Sequence, residues 1–152
     1  MLQTSFLPLW IPPHARCLSR TGGAVVLSDT VGFIKHLPHA LVDAFGATLE
    51  EAVQADLLLH VIDVSGTSRD AQIEQVDRVL AEIGADQVPQ LLVLNKIDLA
   101  GMEPGLERDE YGRIRKVWVS AQSGAGMELV RQALAERQRG LMDAIQQVNA
   151  VA

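Results

Sequence analysis

After Gly23 the chain alternates short apolar runs with longer stretches in which apolar residues recur every three or four positions. Ala24 to Ser28 has the pattern of a β-strand and runs directly into Asp29-Thr30-Val31-Gly32. Leu41 to Gln54 has helical spacing, with Leu41, Ala44, Phe45, Thr48, Leu49 and Val53 able to share one face. Leu57 to Asp63 is a continuous apolar run, which predicts a strand covered on both sides. Ser68 to Ile83 predicts a helix with Ile73, Val76, Val79, Leu80 and Ile83 turned inward and Gly84 as its stop. Gln90 to Leu94 predicts another buried strand, Val117 to Val119 a short one, and Gly126 to about Gln147 the last helix. This alternation predicts an α/β fold: a mostly parallel sheet with flanking helices and right-handed crossovers. Ligands of such sheets sit at the carboxyl ends of the strands, and three polar motifs fall at those ends here.

Composition narrows the class. The chain has 152 residues, 48% of them hydrophobic and 21% charged, which suits one folded domain rather than a disordered chain. Aromatics at 4% are few, so the core must come from Leu, Val, Ile and Ala. The net charge of −6 gives no global attraction for nucleic acid, and DNA is not an expected partner. Cys17 stands alone, which excludes an internal disulfide and a thiolate metal cage and fits a reducing cytoplasm. The run from Phe6 to Pro13 is too short and proline-rich to cross a bilayer, so no membrane partner is expected.

Asn95-Lys96-Ile97-Asp98 directly follows an apolar strand. A carboxylate at Asp98 suits a base that offers two adjacent ring donors, as guanine does, in a charge-assisted bidentate pair. Asn95 suits either the acceptors of such a base or the tying of neighbouring loops, and the Lys96 stem can lie along a base plane. An ordinary turn after a strand explains the same four residues about equally well. Ser120-Ala121, in the loop Ser120-Ala121-Gln122-Ser123-Gly124-Ala125-Gly126, follows the next strand, and the Ala121 N–H suits a guanine carbonyl; alone, a helix N-cap accounts for it. Asp29-Thr30-Val31-Gly32 offers Asp29 to a Mg²⁺ ion through water and the Gly32 N–H to a terminal phosphate, although such a tetrad is common by chance. Phe33 follows, and its side chain cannot orient a water molecule. His36 and His39 lack a visible third ligand, so a metal site there is not expected; His60 suits a core or interface position, and Asp63 the start of a loop that caps a helix.

Taken together, Asp29-Thr30-Val31-Gly32-Phe33-Ile34, Leu37-Pro38-His39-Ala40-Leu41-Val42-Asp43-Ala44-Phe45 and Ala47-Thr48-Leu49-Glu50-Glu51 resemble the switch II segment and following helix of HflX-type ribosome-associated GTPases. With Asn95 to Asp98 and Ser120-Ala121, the resemblance runs from residue 22 to the late 140s and assigns 22–149 to the C-terminal part of a Ras-like P-loop NTPase G domain. It implies GTP or GDP and Mg²⁺ as ligands, bound by Asp29, Thr30, Val31, Gly32, Asn95, Lys96, Asp98, Ser120 and Ala121. It also implies the large ribosomal subunit as partner, a cytoplasmic location, and GTP hydrolysis as the family activity. Gly46 is a small departure, costing about 1 kcal/mol against alanine inside a helix.

No GxxxxGK[ST] phosphate loop occurs in the sequence, and no switch I threonine is identifiable. Because phosphoryl transfer depends on positioning and electrostatics, the chain alone is expected to bind weakly and to hydrolyse little or nothing. Residues 1–21 do not match the family and are expected to be disordered or read out of frame. Trp10-Ile11 forces an aspartate codon in the shifted frame, and the other codon junctions before Arg16 permit Ala-Ala-Asp-(Gln or Lys)-Leu-Phe-Ala-Thr-Leu-Asp-Pro-Thr-x-Arg, which resembles the family's switch I. In the family's sheet a further strand lies between those at Ala24 to Ser28 and Leu57 to Asp63, so its loss would leave two edges open. The alternative function is therefore a nucleotide-independent interaction module that binds the ribosome or a complementary half domain.

Overall fold

A computed structural model describes residues 14–18, 24–28, 50 and 52–151. Two compact units result, and each is described by itself. In the first, β1 (His14–Leu18) and β2 (Ala24–Ser28) form an antiparallel pair in unbroken register from His14 opposite Ser28 to Leu18 opposite Ala24. The first of these strands was not expected, because polar residues break its apolar pattern. The helix predicted at Leu41 to Gln54 lies mostly outside the described residues.

The second unit keeps the predicted alternation with α2 and β5 added to it: β3 (Leu58–Asp63), α1 (Arg69–Glu82), β4 (Gln90–Asn95), α2 (Ile97–Ala100), β5 (Gly105–Arg108), β6 (Ile114–Trp118) and α3 (Met127–Val151). The sheet order is β3-β4-β6-β5, with β3, β4 and β6 parallel and β5 antiparallel at one edge. This is a mostly parallel sheet with flanking helices, as the sequence predicts. Helix α1 packs on β3 and α3 on β6. Leu91, Val93, Val117, Val119, Val130 and Ala133 form the core, and each Val or Leu so buried contributes about 1.5–3 kcal/mol.

Local sequence explains the element ends. Helix α1 closes in a Schellman turn: Gly84, at φ +75°, donates to the Ala81 carbonyl, and Ala85 donates to the Leu80 carbonyl at 2.7 Å. Ser68 occupies its N-cap position without capping through its hydroxyl, which instead accepts from Gln72 Nε2. Strand β3 is not covered on both sides as predicted: Ile62 is 1% exposed but Val61 is 61% exposed. It lies at an edge of the sheet, and Ile62 is its one buried residue.

β6 extends the strand predicted at Val117 to Val119 back to Ile114, but its hairpin partner β5 was not predicted, because Glu107, Arg108, Arg113, Arg115 and Lys116 mask the period. It is held by the Lys116–Glu107 cross-strand pair at 2.9 Å and by a turn in which Asp109 Oδ1 accepts from Tyr111 N and Arg113 N. Arg108 fastens the hairpin to α3 through a two-point ion pair with Glu136, at 2.8 and 3.0 Å. The Arg108 guanidinium, helped by Gln132, lowers the Glu136 carboxyl from the ordinary 4.5 to about 2. A carboxylate depressed on folding stabilises fully above its unfolded pKa and loses that contribution as pH falls through the folded one. The thermal midpoint should therefore decline between about pH 4.5 and 2, and Glu136→Gln should flatten that decline. Parallel pH profiles of the two proteins would show the Glu136 contribution to be absent.

Candidate functional site

The carboxyl ends of three adjacent parallel strands meet at one end of the sheet, and two of them, β4 and β6, lead into predicted site residues. Asp63 ends β3 opposite Asn95, which ends β4, and β6 leads through Val119 into Ser120-Ala121. Backbone hydrogen bonds stitch the ends together: Val64 N donates to the Asn95 carbonyl, Val119 N to the Leu94 carbonyl and Ile97 N to the Val119 carbonyl.

Asn95 is the knot of this end. Its Oδ1 accepts from Lys96 N at 2.8 Å and from Ala121 N at 2.9 Å. Two backbone donors fix the orientation of the amide, so its NH₂ group is left without a protein partner among the described residues. Of the two roles open to Asn95, loop tying is realised in this structure. The Ala121 N–H, which the sequence offered to a base carbonyl, is engaged by Asn95 here.

Lys96 is the one non-glycine residue of positive φ among the described residues, at +69°. That conformation costs about 1–2 kcal/mol. The bond to Asn95 Oδ1 and an ion pair from Nζ to Asp63 hold it there. Asp63 was not recognised as part of the site, since a helix-capping loop accounted for it in sequence. Its carboxylate accepts from Lys96 Nζ, from Ser65 N at 2.9 Å and from Ser65 Oγ at 2.6 Å, and these donors lower its pKa from 3.8 to about 2. The signal that could have found it is its position: a carboxylate ending the strand beside a lysine-bearing motif.

The turn at Lys96 directs the chain into α2, placing Asp98 in its first turn, exposed and without a hydrogen-bond partner among the described residues. Ile97 beside it is 2% exposed and anchors the loop to the core. Ser120 is fully buried and accepts from Ser123 N through its hydroxyl at 3.1 Å, shaping the loop that carries Ala121. The arrangement thus presents an amide donor (Asn95) near an anionic acceptor (Asp98) on a loop rigidly bound to three strand ends. Asp29, Thr30, Val31, Gly32, Phe33, His36 and His39 lie outside the described residues. His60 is half-buried, and burial lowers its pKa, with Asp77 opposing. Among the described residues no group of three metal-ligating side chains occurs, and no helix is long and apolar enough to cross a membrane.

Residues 13–96, more than half the chain, match a family model described as a 50S ribosome-binding GTPase, and the match begins ahead of residue 22. The chain is 56% identical over 119 residues to the GTPase HflX of Escherichia coli (strain K12), covering 78% of this chain and 28% of that protein. It is 42% identical over 123 residues to the GTPase HflX of Caldanaerobacter subterraneus subsp. tengcongensis, covering 81% and 27%. A crystal structure of an SsGBP mutation variant superposes with a TM-score of 0.66 at 27% identity, covering 86% of this chain and 48% of that one. The chain spans about a quarter of the length of the curated relatives it matches.

Proposed function

The chain belongs to the 50S ribosome-binding GTPases as an HflX-type member, and on that premise we propose that it is the guanine-recognising part of a G domain without a phosphate cradle of its own. The observation that carries the reading is the fixed Asn95 amide. With Oδ1 committed to two backbone N–H groups, its NH₂ can only donate outward, toward the acceptors of guanine. Asp98 then accepts from the ring N–H and the exocyclic amine. Adenine presents the opposite polarity and would leave these groups unpaired, which is costly once they are desolvated. Lys96, held by Asp63, lays its stem beside the base, and Ser120 and Ala121 supply the wall opposite.

Asp29 is assigned to Mg²⁺ through water, and Thr30, Val31 and Gly32 to the phosphate end. When bound, the ion would neutralise phosphate charge. Phe33 leaves water orientation to something other than a side-chain amide, and with no GxxxxGK[ST] in the sequence the chain alone is assigned little or no hydrolysis. A cytoplasmic location and the large ribosomal subunit as partner complete this reading, with residues 22–149 as the domain that carries it.

A second reading is favoured by one observation, the β3 edge. At the other edge, β5 is short, charged and bulged between Glu107 and Arg108, features that discourage added strands. β3 runs Leu58-Leu59-His60-Val61-Ile62-Asp63 with neither lysine nor proline nor bulge. It suits a complementary half domain, making the chain an interaction module.

Titrating the chain with GDP, GTP and ATP, with turnover followed in parallel, separates these readings. Weak guanine-selective binding without turnover is expected. Tight magnesium-dependent triphosphate affinity with steady turnover overturns the first reading, and ribosome co-sedimentation indifferent to nucleotide favours the second.

A further inference from the structure

At the opposite end of the same sheet, where β3, β4 and β6 begin, lies an open-sided cavity of about 560 Å³. Its size is that of a small-molecule site. Its walls are the segment from Asp86 to Leu91, Asp109 and the stretch from Tyr111 to Arg115 in the hairpin, and the α3 residues Ala133, Glu136, Arg137 and Gly140. None of these belongs to the guanine-recognition end.

The charges lining it are unequally committed. Three carboxylates face it, and each is already engaged: Glu136 with Arg108 and Gln132, Asp109 with the Tyr111 and Arg113 amides, and Asp86 with Gln87 Nε2 at 2.8 Å. Three arginines, Arg113, Arg115 and Arg137, line it as well, and none has a carboxylate partner among the described residues. Arg115 has no hydrogen-bond partner there. Arg113 lies 5.4 Å over the Tyr111 ring, and that ring is 73% exposed. Arg137 reaches the Asp56 carbonyl through Nη2 at 3.4 Å, but its Nε–H is buried and unpartnered. A buried donor on a permanently charged group without a partner is rare and costly. That donor has no opening to solvent, whereas the exposed Arg113 and Arg115 can present planar guanidinium forks, which suit phosphate.

We propose that this cavity is a second binding site, for a phosphate-bearing ligand held by Arg113, Arg115 and Arg137, with the exposed Tyr111 ring as a stacking surface. The same chemistry fits a free phosphorylated small molecule and the backbone of single-stranded nucleic acid, in which Tyr111 would stack on a base. The protein's net charge is −6 and the lining holds as many carboxylates as arginines, so directed guanidinium hydrogen bonds rather than a positive field would hold the ligand.

The test titrates the full chain with inorganic pyrophosphate and, separately, with a short oligoadenylate RNA, following the arginine Nε–H resonances by NMR. Saturable shifts at Arg137 are expected, weakened about tenfold or more in Arg115→Gln and in Arg113→Gln, with GDP binding unchanged in both variants. These two side chains are exposed, so their replacement leaves the fold intact. Tighter binding of the RNA assigns the site to nucleic acid, and tighter binding of pyrophosphate to a free phosphorylated ligand. Shifts that never saturate with either probe, or that persist undiminished in both variants, overturn the proposal.

Discussion

Asp98→Asn is expected to abolish the preference for GDP over ADP and to create one for XDP. Asp98 is exposed in the first turn of α2 and bonded to nothing among the described residues, so its replacement changes chemistry at the pocket without touching the core. A hydrogen bond to a charged group contributes about 1.5–3 kcal/mol, and guanine offers two donors to this carboxylate. Losing both should weaken GDP binding by more than about a hundredfold. Xanthine carries a carbonyl where guanine carries its amine, so the asparagine NH₂ finds an acceptor there. Calorimetric titration with the three diphosphates checks this, and a thermal midpoint close to that of the parent protein shows that the variant folds. An unchanged ratio of GDP to ADP affinity would remove Asp98 from the base-recognition role.

The pattern of apolar positions located the elements that carry strong periodicity and missed those whose periodicity is hidden. β4 emerged from Gln90 to Leu94 because both its faces are buried, and α1 because Gly84 closes it with a left-handed turn. β5 and the start of β6 escaped because their charged residues pair with one another across the strands, as Lys116 does with Glu107. Such pairing is set by register, which no single segment displays. At the candidate site, the order of motifs along the chain pointed to Asn95, Asp98 and Ala121, and the structure brings Asn95 and Ala121 together. Asp63 was not, since its role arises from lying beside Asn95 in the β3–β4 register, within reach of Lys96, which is 33 residues away in sequence. The engagement of the Ala121 amide by Asn95 was likewise beyond the sequence, because it depends on how closely two loops approach.

Gly126→Ala is expected to be the most damaging small substitution in the loop behind the site. Gly126 is buried at φ +75° just before α3, and an added Cβ would lie 2.5 Å from the Trp118 carbonyl oxygen and 3.3 Å from Val119 Cα. Both obstacles are backbone of the strand end that leads into Ser120-Ala121, so neither can rotate away. The left-handed conformation costs an alanine about 1–2 kcal/mol. Forcing extra volume into packed structure costs about 1–3 kcal/mol more. Together these should lower the thermal midpoint by about 10 °C, taking about 2–4 °C per kcal/mol for a domain of this size. Gly124 is the control: at φ +80° it has the same backbone demand, but its added Cβ would meet nothing within 4 Å. Gly124→Ala should therefore cost only the conformational part, a drop of about 3 °C. The strand end displaced in the Gly126 variant also positions the Ala121 amide that Asn95 grips, so guanine affinity should fall with it even below the melting transition. Equal melting of the two variants would mean that the close approach of Gly126 to β6 does not constrain this loop.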